Sequence, residues 1–316
     1  MPLKPKSTIS LRSQGERWAE RFLRHSPPSL VFRGFLLAVV LLVPGLAKVG
    51  EGTELMDSFD VKRVMKYAAH FADEIGPRPA GSEKVQEAAR YFGETLASIG
   101  YVPDRHEYFL PDGRSAVNVT ADLPGIDERV LILAGHLDTV PGSPGANDDG
   151  SGLGSILEIA RVLREEKPKV TVRFAAFGSE EELPSGYKGH AYGSLKYLEH
   201  LSEEARSRIV GCVQLDKTGV GEELLVRYIV RSDRTLAKRF FDEVSKGSHP
   251  APVRFGRMWA RRMPLEKAGI PTAWVEWHPD PNLHRPGDVV SALDSEKIEF
   301  VARATLSLVI GFRPPT

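Results

Sequence analysis

The chain has 316 residues in which 42 Lys and Arg balance 42 Asp and Glu, so the formal net charge is zero and nucleic acid is not an implied partner. That length suits one or two domains. Cys212 is the only cysteine, which excludes an internal disulfide and leaves the stability of any exported form to the core.

The charge is unevenly placed. In residues 1–34, Lys4, Lys6, Arg12, Arg17, Arg21, Arg24 and Arg33 face only Glu16 and Glu20. The apolar stretch Phe35 to Val43 follows, then Pro44-Gly45-Leu46-Ala47. A basic leader, an apolar core, a breaker and a small residue read as a secretory signal. Read from Leu30 to Val49, the same stretch suits a spanning helix, with the tail in the cytoplasm and the main body outside. Residues 1–49 are therefore expected to be a signal peptide or a membrane anchor. Residues 50–316 contain no repeat or low-complexity linker and read as one large domain.

Along that domain, apolar residues at helical spacing predict a helix over Asp57–Ile75, broken by Gly76-Pro77-Arg78-Pro79. Ser82 is suited to cap a second helix, Glu83–Ile99, which Gly100 ends. Strands are predicted at His106–Leu110, Ala116–Leu123 and Val130–Ala134. Asn118-Val119-Thr120 is a glycosylation sequon, relevant only in a eukaryotic secretory host. A helix over Ser151–Leu163 follows, then a strand at Val170–Phe177 and a helix at Ala191–Leu201. Ile209–Leu215 and Leu224–Val230 read as strands, with Cys212 a small buried hydrophobe in the first. Leu236–Val244 is helical, Ala273–Trp277 a strand, and Ser295–Ile310 a closing helix. Strands alternating with helices predict an α/β fold, a three-layer α/β/α sandwich around a mixed, mostly parallel central sheet.

Polar residues gather where apolar runs stop. His136 and Asp138 follow Val130–Ala134, and a Pro/Gly loop then delivers Asn147, Asp148 and Asp149. Gly150, Gly152 and Gly154 imitate a dinucleotide loop, but Ser155 stands where that fingerprint needs glycine. Gly178-Ser179-Glu180-Glu181-Glu182 follows Val170–Phe177. Asp216 follows Ile209–Leu215. Behind Ala273–Trp277 come His278, Asp280, His284 and Asp288. Open α/β sheets place their sites at such strand ends. Each of these residues alone would be an ordinary strand-end or surface group. Carboxylates gathered in one crevice repel, however, and a bound cation resolves the repulsion. Imidazole with carboxylate suits zinc or a similar divalent ion.

These motifs and their order resemble the co-catalytic di-zinc aminopeptidases, a family that also holds glutaminyl cyclases and metal-less transferrin-receptor-like relatives. The resemblance rests on His136-x-Asp138, Gly145-Ala146-Asn147-Asp148-Asp149-Gly150-Ser151-Gly152, Phe177-Gly178-Ser179-Glu180-Glu181, Leu215-Asp216 and His284-x-x-x-Asp288. Ile75-Gly76-Pro77-Arg78-Pro79-Ala80-Gly81-Ser82 is similar to the family's leading motif. The resemblance implies two Zn2+ ions: His136 and Asp216 on one, Glu181 and His284 on the other, and Asp148 bridging. It makes Glu180 the general base and Asp138 the group that orients His136. Glu181 and Glu182 are the alternative base and ligand, Asp149 is the alternative bridge, and His278 is the rival of His284. The implied activity is hydrolysis of N-terminal peptide bonds, with peptides as substrates.

The sequence departs from the family pattern in two places. Trp259-Ala260-Arg261-Arg262-Met263 stands where many relatives carry Ser-Asp-His, and Leu283 stands where many aminopeptidases carry tyrosine. The oxyanion donor is thus unassigned, with Arg261 or Arg262 a substitute. Leu183–His190 is expected to line the specificity pocket. Three other readings compete. A two-domain deacylase or carboxypeptidase needs a lid domain between Asp216 and His284, where the interval is too short. A glutaminyl cyclase needs an acid where Arg261-Arg262 stands. A non-enzymatic binding module would be expected to have lost ligands.

Overall fold

The computed structural model describes residues 54–181, 183, 190–229, 233–247, 249–258 and 264–314. The expected leader, residues 1–49, lies outside the described residues. Among the described residues no helix is long and apolar enough to cross a membrane.

Helix α1 (Val61–Ala69) starts at Asp60, whose side chain accepts from the Lys62 N–H. Its last turn widens into a π-type turn over His70–Ile75, closed by a Gly76 N–H to Phe71 carbonyl bond of 3.1 Å. The helix predicted over Asp57–Ile75 is therefore interrupted at Phe59–Asp60 and changes pitch, without a break, over its last six residues. Helix α2 runs Glu83–Ile99 as predicted, capped by Ser82 and ended by left-handed Gly100.

The strands are β1 (Asp104–Phe109), β2 (Ser115–Leu123), β3 (Asp127–His136), β4 (Val170–Phe177), β5 (Ile209–Leu215), β6 (Glu223–Ile229), β7 (Val253–Met258) and β8 (Thr272–His278). They form one sheet in the order β1-β2-β4-β3-β5-β8-β6-β7. The inner strands β4, β3, β5 and β8 are mutually parallel, and β6 with β7 is a further parallel pair. The β1–β2, β2–β4 and β6–β8 pairs are antiparallel. The mixed, mostly parallel sheet is as expected.

Helix α3 (Gly152–Leu163) follows β3, α4 (Tyr192–His200) and the short α5 (Glu203–Ser207) follow β4, and α6 (Thr235–Val244) follows β6. The four-residue α7 (Pro264–Lys267) precedes β8, and α8 (Ser295–Gly311) closes the chain. The alternation of β3 divides two cores. Leu131 and Leu133 face one that contains residues of α1, α2, α3, α6 and α8. Val130, Ile132 and Ala134 face the other, with Tyr197 and Leu198 of α4 and Leu265 of α7. Being covered on both faces, β3 is apolar without interruption from Val130 to Ala134. Cys212 is fully buried in the second core, as expected. Asn118 is 1% exposed inside β2 and its amide is hydrogen-bonded to the Gly193 carbonyl, so the sequon is closed to modification in the folded chain.

Because β4, β3, β5 and β8 run the same way, their carboxyl ends share one rim. The register pairs His136 with Phe177, Ala134 with Gln214, and Leu215 with Val275. His136, Ser179–Glu181, Asp216 and the 278–288 loop thereby leave the sheet side by side.

Candidate metal centre

His136 is the last residue of β3. Its Nδ1 lies 2.9 Å from the Asp138 carbonyl oxygen, and its Nε2 lies 3.0 Å from Asp148 Oδ1. Nδ1–H donating to a carbonyl leaves Nε2 as the atom facing the site. The expectation that the Asp138 carboxylate orients this ring needs refinement. The nearest Asp138 carboxylate oxygen is 3.7 Å from Nδ1. That carboxylate instead accepts from the Glu180 N–H at 2.9 Å and the Glu181 N–H at 3.1 Å. Asp138 thus ties two strand ends together, holding His136 by its backbone and the glutamates by its side chain.

Asp148 and Asp149 divide in the same manner. Asp148 faces both histidines, with Oδ2 3.3 Å from His284 Nε2. Asp149 turns back into the fold, accepting from the His136 N–H at 2.9 Å and from the Gly152 N–H at 3.1 Å. The loop carrying them is held from outside. Asp288 accepts from the N–H groups of Asn147 (2.6 Å) and Asp148 (3.2 Å). Fully buried Arg78 donates to the carbonyls of Leu137, Pro144 and Gly145 at 2.6, 2.6 and 3.1 Å. Gly145 has φ +69°, and a Cβ there would lie 2.3 Å from Thr139 Cγ2, so only glycine fits.

Glu181 Oε1 lies 3.1 Å from His284 Nε2, and the ligand atoms of His136, Asp148 and Glu181 all lie within 4.8 Å of one another. Glu180 points elsewhere: Ser194 donates its N–H to Oε1 at 2.7 Å and its hydroxyl to Oε2 at 3.0 Å. Ser194 reaches it because the start of α4 folds back on β4's end, with the Tyr192 and Gly193 N–H groups on the Ser179 carbonyl. Glu182 lies outside the described residues. His278 ends β8, exposed, while His284 meets the acids.

Asp216 follows β5 and is buried, yet its Oδ1 has no hydrogen-bond partner. Its Oδ2 lies 3.5 Å from Lys217 Nζ, which in turn is 2.7 Å from Glu276 Oε2. No ligand-sharing distance joins Asp216 to the other four residues, but it lies near enough to His136 and Asp148 to feel their charges.

Electrostatics mark the cluster. Burial, opposed by the Ser194 N–H and reinforced by Asp138, pushes the Glu180 carboxyl up to about 8. Burial pushes Asp216 up to about 6 and Asp288 likewise up to about 6. Hydrogen bonding to Asp148 and Glu181 raises His284 to about 10 against the effect of burial. Burial lowers Arg78 to about 10 even with four aspartates around it. Among the described residues, the non-glycine residues with left-handed backbones, Ala191, Lys217 and His284, all flank this rim. Each such conformation costs roughly 1–2 kcal/mol in an L-residue, and such strain collects at functional sites.

The donors fit zinc: His136, Asp148 and Glu181 each bring a ligand atom within 4.8 Å of the others, His284 Nε2 stands 3.1 Å from Glu181, and Asp216 adds a buried oxygen without a partner. Sequence reasoning gave no role to Ser194, Lys217, Arg78, Asp288 or Asn147. A serine in a first helical turn has no distinguishing local pattern, and the motifs that contain Arg78, Asn147 and Asp288 do not say what those side chains hold. Residues 259–263, which include Arg261 and Arg262, lie outside the described residues, as do 184–189. Of the expected pocket segment, Leu183 is buried beside Tyr108 and Tyr192, and exposed His190 has Nδ1 3.9 Å from Glu181 Oε2.

Residues 118–309 match the family model described as Peptidase family M28. The chain belongs to peptidase family M28. It is 31% identical over 188 residues to aminopeptidase YwaD of Bacillus subtilis (strain 168), covering 54% of this chain and 38% of that protein. The chain thus spans well under half of that relative's length. The fold is similar to that of BSAP, a zinc aminopeptidase from Bacillus subtilis, with TM-score 0.72 and 17% identity over 80% of this chain and 96% of that one. It is also similar to Tannerella forsythia glutaminyl cyclase, with TM-score 0.71 and 18% identity over 81% of this chain and all (100%) of that one.

Proposed function

We propose that this M28 chain is a zinc-dependent aminopeptidase that removes residues from the N-termini of peptides. The observation that carries the reading is the group of buried His136, Asp148 and Glu181 at one sheet rim, with exposed His284 against Glu181 and the buried, partnerless Asp216 Oδ1 on the next strand end. His136 and Asp216 would hold one Zn2+, Glu181 and His284 the other, and Asp148 would bridge. When bound, such a pair supplies Lewis acidity and a water of lowered pKa.

Glu180 is the base in this reading. It sits beside Glu181 but its side chain is turned to Ser194, so it is not consumed as a ligand. It takes a proton from the attacking water and delivers it to the leaving amine. Ser194 holds both its oxygens in one orientation, and Asp138 fixes the backbone that carries it. His136 is held with Nε2 inward by the Asp138 carbonyl.

The deacylase alternative is disfavoured by the interval between Asp216 and His284. Its described residues are taken up by β6, α6, β7, α7 and β8, of which the three strands belong to the main sheet. Residues 1–49 serve, in this proposal, as a leader or anchor that places the peptidase domain, residues 50–316, outside the cytoplasm.

Purified full-length chain should hydrolyse members of an aminoacyl-anilide panel. Activity should vanish on chelation, return with zinc, and be absent on N-acetylated substrates. Equal cleavage of acetylated substrates would refute the aminopeptidase reading. Cyclisation of N-terminal glutamine peptides without hydrolysis would establish the cyclase instead.

A further inference from the structure

Asn118 has no place in the chemistry just described. Its neighbours Val117 and Val119 face the first core, so its side chain turns to the other face of the sheet, toward the start of α4. An amide buried that completely is tolerated only when it is paired. Its two ends are paired to two different pieces of the site. Oδ1 accepts from the Gly178 N–H at 3.0 Å, just past the end of β4. Nδ2 donates to the Gly193 carbonyl at 2.9 Å, in the first turn of α4. One planar amide supplies both the acceptor and the donor, which an ionised carboxylate does not.

The joint has little slack. A Cβ on Gly178 would lie 2.0 Å from the Val117 carbonyl oxygen, and one on Gly193 would lie 3.0 Å from Asn118 Oδ1. The Tyr108 hydroxyl packs beside it, 3.1 Å from Ser179 Oγ. What is joined is the base and its holder. Gly178 precedes Ser179 and Glu180, and Gly193 precedes Ser194, whose N–H and hydroxyl take the two Glu180 oxygens at 2.7 and 3.0 Å. The reach of Ser194 to that carboxylate depends on how far the start of α4 stands from the end of β4. Asn118 spans that gap.

We infer that Asn118 is a positioning residue, which sets the spacing between the strand end that carries Glu180 and the helix start that orients it. This rests on the reading of Glu180 as the base. The hydrogen bonds of the Asn118 side chain go to Gly178, Gly193 and Tyr108 and to none of the proposed ligands, so it acts through Ser194. Misplacing a reacting group by about 1 Å costs up to about 100-fold in rate. Loss of the amide should therefore lower kcat by about 10–100-fold with KM little changed.

The test is steady-state kinetics and zinc content of the full chain carrying Asn118→Leu, Ser194→Ala, or both. Each single change should lower kcat by about 10–100-fold and leave KM and zinc content as in the parent. Because both act on one carboxylate, the combined variant should lose no more than the larger single loss. A second readout needs no turnover. In the zinc-free Asn118→Leu chain, amide hydrogen exchange should speed up at Gly178 and Ser194 and stay unchanged across β3 and β5. Should Asn118→Leu fail to fold, Gly193→Ala forces the same joint apart from the helix side and carries the same expectations. Losses that multiply, a shift in KM with kcat intact, or faster exchange across the whole sheet would make Asn118 an ordinary core residue and overturn the inference alone. Full turnover in Glu180→Gln would remove the base reading and this inference with it.

Discussion

Two buried carboxylate sites in this molecule are built differently. Glu158 on α3 is fully buried and closed on itself: it accepts from the Asp60 N–H at 2.9 Å and from Arg161 Nη2 and Nε at 2.6 and 2.9 Å. One acid meets one guanidinium and one backbone donor, and the local charge is settled by the fold. The rim is the reverse. Asp138, Asp148, Asp149, Glu180, Glu181, Asp216 and Asp288 are all buried there, with buried Arg78 and partly buried Lys217 beside them. One oxygen has no partner, and several of the groups titrate far from their ordinary range. Buried charge that serves folding is satisfied within the chain, whereas buried charge left open calls for something the chain does not supply.

The contrast can be broken by substitution. Asp148→Asn removes the carboxylate that faces both histidines, and it should bring zinc content below one ion per chain and hydrolysis to background, read by metal analysis and anilide assay. Glu180→Gln should retain zinc and lower kcat by about 10²–10⁴-fold with KM little changed. Equal turnover would show that Glu180 is not the base.

The stripped rim should also respond to pH in a direction that Glu158 does not impose. Glu180, raised to about 8, and Asp216 and Asp288, raised to about 6, each favour the fold while protonated. That contribution is complete below their ordinary carboxylate range and is lost as pH rises through the shifted value. His284, raised to about 10, contributes in the same sense, fully below the ordinary histidine range and less and less as pH rises from there to that value. Asp148, held well below its ordinary range by its histidines in spite of burial, contributes throughout the neutral window. The zinc-free protein should therefore melt several degrees lower at about pH 8.5 than at about pH 5.5, and zinc should flatten the difference. A zinc-free protein that gains stability over that interval would contradict the open-charge description.

The smallest effect belongs to the closed site. Glu158→Gln leaves Arg161 without its anion and should cost about 2 kcal/mol, a fall of a few degrees in Tm, with turnover per folded molecule unchanged.

What could be read from the sequence follows from how local each signal was. Helix α2 was legible to the residue because its cap, apolar stripe and terminal glycine are all local. Central strand β3 showed itself through burial on both faces, although its outer turns, Asp127–Arg129, carry polar residues and were missed. Strand β7 was missed altogether. It is an edge strand, and Arg254, Gly256 and Arg257 hide its alternation. The rim residues were legible as types at strand ends. Which of two neighbours faces inward was not, because that depends on partners far along the chain. Asp148 and Asp149 are sorted by His136 and His284, and Glu180 and Glu181 by Ser194 and His284.

Diffraction data collected on either side of the zinc absorption edge, from crystals of the zinc-loaded chain, would decide the matter. Two anomalous peaks should appear among His136, Asp148, Glu181, Asp216 and His284, with Asp148 touching both and Glu180 touching neither. No peak at this rim, or zinc bound elsewhere with activity intact, would contradict the assignment.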